Sequence, residues 1–415
     1  MRSLRQTGVR RVYIHTAVGQ SNGIGIFNNE VLTPEPLRPG RALMASGGIR
    51  MLPNGQNGTQ ADVTLPRSKI LDFHDAVEVV DSKSGETGLA QFAADMTGTG
   101  DGAYASNEAC LVQAHNISGQ PMASWCPSAE GTWPYQFDNM IRAWGRNRKV
   151  AAERGIRSLA IGAIHAEFME AECGQRRRDL RDGTADAPDD DAMLAMLERF
   201  LAAAGDVARK HFDGPPPPFV FSQMSSWSHY GMLTYSFPTF FLEWWLKNQD
   251  RAICAGPSYD SGYMSDGVHR DAAGQRRQYQ RHARALQRWR RGLGPLALYP
   301  AGVRRRDATT LVVSFAGGEG RLAIDTERVA DPGNLGIGWT GEGAITAIRR
   351  RGERKLVIEG PVGPGTLHFG TIAPQLGPAG PQTGPRLCLR DSATFIGADG
   401  EIVYNWCCFR DLAVV

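Results

Sequence analysis

The chain has 415 residues, 42% of them hydrophobic and 21% charged; that balance is globular and excludes a disordered or fibrous protein. The length exceeds one ordinary core, so two domains are expected. The formal net charge of +3 is too small to point to a nucleic acid, and Arg176-Arg177-Arg178, Arg304-Arg305-Arg306 and Arg349-Arg350-Arg351 read as short solvated faces.

No apolar run reaches the ~18 residues that span a bilayer. The basic start leads straight into Val12-Tyr13-Ile14, a run too short for a signal-peptide core and followed by no cleavage site. A cytoplasmic location is the default expectation, with a secreted or virion-associated protein kept open. Seven cysteines, an odd number with no CxxC spacing, argue against a zinc site. The adjacent Cys407 and Cys408 are expected on opposite faces of a strand.

In chain order, short apolar runs predict strands at 11–14, 109–114, 158–164, 219–223 and 252–255. Helices are predicted at 89–96, 135–155, 190–211, 237–249 and 272–291. The acidic cluster Asp189-Asp190-Asp191 suits a helix N-terminus. The four prolines 215–218 read as a stiff lead-in to the strand at 219. Phe240-Phe241 and Trp244-Trp245 lie at helical spacing and read as core. Alternating strands and helices imply an α/β domain over residues 1–293, with a mostly parallel sheet covered on both faces.

From residue 294 to 415 Gly and Pro become frequent and short alternating runs replace helices. Strands are predicted at 310–315, 321–324, 344–348, 355–358, 366–369 and 402–406. Turn signals such as Gly317-Gly318, Asp331-Pro332-Gly333 and Asp399-Gly400 separate them. This pattern predicts an all-β, sandwich-like or barrel domain, which either binds polysaccharide or packs on its neighbour.

Two segments carry chemistry. Gly19-Gln20-Ser21-Asn22-Gly23 is a polar loop directly after the first strand, where open α/β sheets bind ligands. Ser265-Asp266-Gly267-Val268-His269 precedes the last helix, and an Asp three residues before a His can aim both side chains into one pocket. His269 could then take the proton of Ser21, with Asp266 orienting the ring. Each segment alone also fits a turn-forming serine or a helix-capping aspartate.

Together these two segments resemble the end motifs of the SGNH hydrolase superfamily, and within it the sialate O-acetylesterase-like carbohydrate esterases. The resemblance covers residues 10 to about 290. It implies a flavodoxin-like three-layer fold and a serine esterase that removes acetyl groups from an O-acetylated carbohydrate, with no metal or organic cofactor. Glu86-Thr87-Gly88-Leu89, followed by Phe92 and Ala93, resembles the family's second block, which implies that the N–H groups of Gly88 and Ser21 share an oxyanion hole. Ser118-Gly119-Gln120, with Trp125 beyond it, resembles the segment that ends in Trp in that family. The third block departs: where the family carries Gln-Gly-Glu, this chain has His165-Ala166-Glu167. The third oxyanion donor is therefore either His165 or Asn116. Gln20, Gln120 and Glu167, and the aromatic group Trp227, His229 and Tyr230, are the candidate substrate-binding residues. His115 and His282 read as structural.

Two rival readings remain. The loss of the amide at His165 fits a non-catalytic or phage-like carbohydrate-binding protein on the same scaffold. A lipid esterase or thioesterase would need a long apolar channel, and no amphipathic lid is legible.

Overall fold

The computed structural model describes residues 8–51, 64–80, 84–99 and 102–415; the basic start of the chain lies outside them. A seven-stranded sheet is built from β1 (Arg11–Gly19), β2 (Ala42–Ala45), β3 (Phe73–Asp75), β4 (Glu108–Ala114), β5 (Ser158–Glu167), β6 (Phe219–Gln223) and β7 (Ala252–Pro257). Its order is β3-β2-β4-β1-β5-β6-β7. Every pairing is parallel except that of β3 with β2.

The strands β4-β1-β5-β6-β7 follow the flavodoxin-like order 2-1-3-4-5. Crossovers leave β1 in opposite directions, so a crevice opens at the carboxyl ends of β1 and β5. Side-chain alternation along β1 assigns the helices to two faces. His15 meets Phe92 of α1 (Leu89–Met96), and α6 (Ala272–Arg290) packs on the same side. Thr16, pointing the other way, accepts from the Trp144 indole of α2 (Tyr135–Glu153). On that side Phe200 of α4 (Asp190–His211) meets Phe137, and Phe241 of α5 (Phe237–Leu246) meets Phe221.

The predicted helices and parallel strands all form. β1 runs five residues beyond its predicted end, and α5 stops three residues early because Asn248 folds back to cap the Trp244 carbonyl at 2.7 Å. Phe241, Trp244 and Trp245 are buried as core. β2, β3 and α3 (Glu170–Asp182) were not predicted.

The C-terminal region holds β8 (Tyr299–Asp307), β9 (Thr310–Ala316), β10 (Leu322–Ile324), β11 (Ile337–Glu342), β12 (Ala347–Arg350), β13 (Lys355–Glu359), β14 (Val362–Phe369), β15 (Leu389–Ile396), β16 (Ile402–Trp406) and β17 (Arg410–Val414). They form three small antiparallel sheets, β10-β15-β16, β11-β14-β17 and β12-β13-β9-β8. The Gln223 side chain bonds both the N–H and the C=O of Phe409, mimicking a strand partner and tying this region to the end of β6. β16 ends before Cys407, so the two adjacent cysteines do not alternate across a strand as expected. All seven cysteines are buried free thiols, and Cys408 Sγ lies 3.8 Å from Cys254 Sγ across the contact between the two regions.

Three buried histidines form a row under the sheet. His15 Nδ1 is 3.1 Å from His165 Nε2, and His165 Nδ1 is 3.1 Å from His282 Nδ1. The Tyr104 hydroxyl closes one end at 2.6 Å and the Ser222 hydroxyl the other at 3.1 Å. A bulge in β5 makes room, for a Cβ on Gly162 would lie 2.2 Å from the His15 ring. One proton per contact, all running one way, satisfies the row with every ring neutral.

Burial holds all three rings below the usual imidazole range, His165 at about 3. The unfolded chain therefore binds protons that the native one refuses. The stability these rings contribute is complete above about pH 6.5 and drains away as pH falls toward about 3. Burial pushes the carboxyls of Asp95 and Glu170 the opposite way, to about 7. Their contribution is complete below about pH 4 and is lost as pH rises through 7. Three rings outweigh two carboxyls below about pH 6.5, so thermal melts across pH should show a Tm that rises from about pH 3 to a maximum near pH 6.5 and does not rise further above 7. A Tm that still climbs between pH 7 and 8, or that holds down to pH 3, would contradict this reading.

Candidate active site

The site grows from the end of β1. Gly19 has φ +123, and a Cβ there would lie 2.1 Å from the Glu167 carbonyl oxygen, so the tight crossing of β1 and β5 admits only glycine. The chain then coils into one 3₁₀ turn, Ser21–Ile24, closed by Gly25 at φ +62. Gly23 lies under the Asn116 amide, where a Cβ would come within 1.9 Å of Nδ2. Ser21 is thereby presented at the mouth of the crevice, 8% exposed.

The loop after β7 brings the second half. Gly267 N–H donates to the Met264 carbonyl and Met264 N–H to the His269 carbonyl, folding the segment into a tight turn before Asp271 caps α6. His269 Nε2 lies 2.7 Å from Ser21 Oγ, and His269 Nδ1 lies 2.6 Å from Asp266 Oδ2. Asp266 Oδ1 accepts the backbone N–H groups of Val268 and His269, each at 3.0 Å. Burial works to raise the Asp266 carboxyl, but these two donors and the imidazole outweigh it and hold the group below the usual range. It stays ionised beside the ring.

Asn22 joins the two halves. Its Oδ1 accepts the Arg270 N–H at 3.1 Å, and its Nδ2 donates to the Val268 carbonyl at 3.3 Å, so one amide grips both neighbours of His269. Nδ2 also donates to Glu170 at 3.0 Å. Arg270 is itself fixed by a buried ion pair with Glu167 at 2.8 Å, and Glu167 also accepts from Gln278. Gln275 on α6 donates to the Asn22 carbonyl.

The C-terminal region reaches this turn. Ala379 N–H donates to the Gly267 carbonyl at 3.0 Å, and Pro378 packs so closely that a Cβ on Gly267 would lie 2.4 Å from it. Ser228 Oγ donates to the Gly377 carbonyl at 2.9 Å beside it. The segment between Asp266 and His269 is thus held from the β-rich side as well.

The structure brings together Ser21, His269 and Asp266, and it sets Asn116 against their turn. Asn116 is completely buried, with no hydrogen-bond partner for either side-chain polar atom among the described residues. His165 is placed elsewhere. Both its ring nitrogens are engaged in the histidine row, which makes it a core residue and not an oxyanion donor. Gly88, at φ +82 ahead of α1, has the Gln275 carbonyl and the Tyr279 ring as nearest neighbours, so its lack of a side chain lets α1 and α6 meet.

The substrate-binding expectations divide likewise. His229 is exposed, with both Asp266 and His269 close enough to act on its charge, and Tyr230 stands edge-on to it at 5.4 Å. Trp227 is completely buried against Phe409 and cannot line a pocket. Gln20 and Glu167 are buried in the bonds that support the Ser21 turn, and half-buried Gln120 accepts from Ser124. Phe27, Asn22, Glu170 and Arg270 had no assigned role in the sequence. Phe27 is 40% exposed, has φ +65 and stands edge-on to the His269 ring at 5.0 Å. Asn22 was legible in the sequence only as part of the Gly19–Gly23 motif, and the other three carried no local signal.

Among the described residues no helix is long and apolar enough to cross a membrane, and no group of three or more His, Cys, Asp or Glu could hold a metal ion.

Fold and site together define a flavodoxin-ordered α/β protein with a Ser–His–Asp array at the carboxyl end of its central strand and a β-rich region beside it. A solved structure shares this fold along nearly the whole chain: a carbohydrate acetylesterase from Xanthomonas citri, 11% identical, with a TM-score of 0.54 over 96% of this chain and 80% of that one. The N-terminal part of the bacterial S-layer protein SbsC also aligns, at 12% identity over 35% of this chain and 29% of that one, but its TM-score of 0.18 carries no structural likeness. No protein-family profile and no curated protein sequence matches the chain.

Proposed function

We propose that this chain is a serine esterase that removes acetyl groups from an O-acetylated carbohydrate. The observation that carries the reading is the array itself: Ser21 Oγ, both nitrogens of His269 and Asp266 joined at 2.7 and 2.6 Å. Ser21 Oγ attacks the ester carbonyl and gives its proton to His269 Nε2. The imidazolium, stabilised by Asp266, returns that proton to the leaving sugar oxygen, and an acetyl-serine remains. Water, deprotonated by His269, then releases acetate and regenerates Ser21.

Charge on the acyl oxygen needs preorganised donors. The Ser21 and Gly88 N–H groups are two in this reading. The third is Asn116, supported by its unpartnered Nδ2 over the Ser21 turn. The rim formed by Phe27, His229 and Tyr230 suits the flat face of a sugar ring. We take residues 1–293 as the catalytic domain and 294–415 as the β-rich domain. The fold shared with a carbohydrate acetylesterase supports the substrate class.

The Phe27 ring crowds the space beside His269, which favours a short acyl group. Purified protein is therefore expected to release acetate from peracetylated monosaccharides. Its kcat/KM should be about 10-fold or more higher for p-nitrophenyl acetate than for the octanoate, the size of effect a few unaccommodated methylenes produce. A preference for octanoate would point to a lipid or thioester substrate. No turnover of either would leave a binding protein on the same scaffold.

A further inference from the structure

We propose that Glu170 is a positioning residue for this reaction: its carboxylate accepts the side-chain amides on both sides of Ser21 and so fixes the nucleophile turn against the His269 loop. The inference rests on the esterase reading.

Gln20 Nε2 donates to Glu170 Oε2, and Asn22 Nδ2 donates to Glu170 Oε1 at 3.0 Å. Neither amide can turn round. The Gln20 oxygen already accepts the Ala171 N–H at 2.9 Å, and the Asn22 oxygen already accepts the Arg270 N–H at 3.1 Å. Both amides must therefore present NH₂ groups to position 170. Only a side chain with two acceptor oxygens answers both, and among buried side chains that is an ionised carboxylate. Glutamine turns one of the two contacts into donor against donor, and a protonated acid leaves one amide only a weaker hydroxyl acceptor.

The backbone is bent to deliver this group. Met169, just before it, sits at φ +103, a conformation strained for a side-chain-bearing residue, and Glu170 is the first residue of α3. The first helical turn also favours a negative charge. Asn22 passes the constraint onward, since the amide that Glu170 orients is the one that grips Val268 and Arg270 on either side of His269.

The charged and titratable groups around Glu170 are Arg270 from the loop before α6, Glu167 at the end of β5, Cys173 on its own helix, and Tyr230 and Tyr263 from the two facing loops. Burial raises its carboxyl to about 7 against the pull of Arg270. The clamp is therefore lost through the neutral range as pH falls, which adds the protonation of Glu170 to the acid limb of activity.

The test uses the full chain and p-nitrophenyl acetate. Glu170→Gln is expected to lower kcat about 10- to 100-fold with KM within about twofold, as for a misplaced reacting group. The acid limb of log kcat/KM should flatten from a slope approaching two in the wild type to one in the variant. Glu170→Asp, which keeps two acceptors, should recover part of kcat. A Glu170→Gln protein with wild-type kcat and acid limb would overturn the proposal, as would a loss expressed in KM alone. If that variant does not melt cooperatively, the wild-type acid limb decides, and a slope of one overturns the proposal. A wild type without ester turnover would sink the esterase reading itself, a result distinct from an active wild type indifferent to Glu170.

Discussion

Replacing Ser21 with alanine is expected to lower kcat for p-nitrophenyl acetate by about 10⁴- to 10⁶-fold, the size of loss that removal of a nucleophile from such an array produces. Folding should be spared. The side-chain hydroxyl makes its hydrogen bond to His269, while the turn is held by Gln20, Asn22 and the glycines around it. The melting temperature should therefore stay within about 2 °C of wild type, consistent with the small cost of a substitution that touches no packing. His269→Ala added to Ser21→Ala should cost little more than either change alone, because the residues act as one unit. A Ser21→Ala protein keeping a tenth of wild-type turnover would show the chemistry to lie elsewhere.

Asp266→Asn is expected to have the second largest effect, about 10⁴-fold in kcat at neutral pH. The reason lies in the two oxygens of Asp266. Oδ1 accepts the N–H groups of Val268 and His269, so an asparagine must leave its own oxygen there to avoid two donor clashes. Its NH₂ group then faces His269 Nδ1 and forces the ring proton onto Nε2, against Ser21 Oγ. A ring in that tautomer cannot take the serine proton. Activity and fold separate cleanly in this variant, since the shape of the turn is kept. Asp266→Asn with kcat within tenfold of wild type would show that Asp266 shapes the turn without serving the imidazole.

The framework was legible because its elements obey local rules. The central strands are continuous apolar runs bounded by turn residues, and α4 declares itself by three aspartates ahead of an amphipathic stretch. α3 stayed hidden because only Glu170, Glu172 and Cys173 are buried along its thirteen residues, leaving no apolar period to read. β2 and β3 are four and three residues long and exist through their sheet partners. In the C-terminal region β8 buries only Pro300 and β15 only Leu389 and Asp391, so alternation is blurred.

The site divided along the same line. Ser21, Asp266 and His269 lie in short motifs whose spacing carries their chemistry. The supports of those motifs come from remote segments. Asn22 and Glu170 are 148 residues apart, and His165 is paired across 150 and 117 residues with two other histidines. No local pattern encodes such partners. His165 occupied the place of an expected donor in sequence and is claimed in space by the core, while Asn116 acquired its place only when the ends of β1 and β4 came together.

One peptide group, the carbonyl of Gly267, receives its hydrogen bond from Ala379 in the other half of the molecule. Gly267 stands between the carboxylate and the imidazole, and Pro378 packs on the same residue, so this stretch of the β-rich region bears directly on the Asp266–His269 pair. A shift of Pro378 and Ala379 against the sheet therefore moves the peptide that links Asp266 to His269.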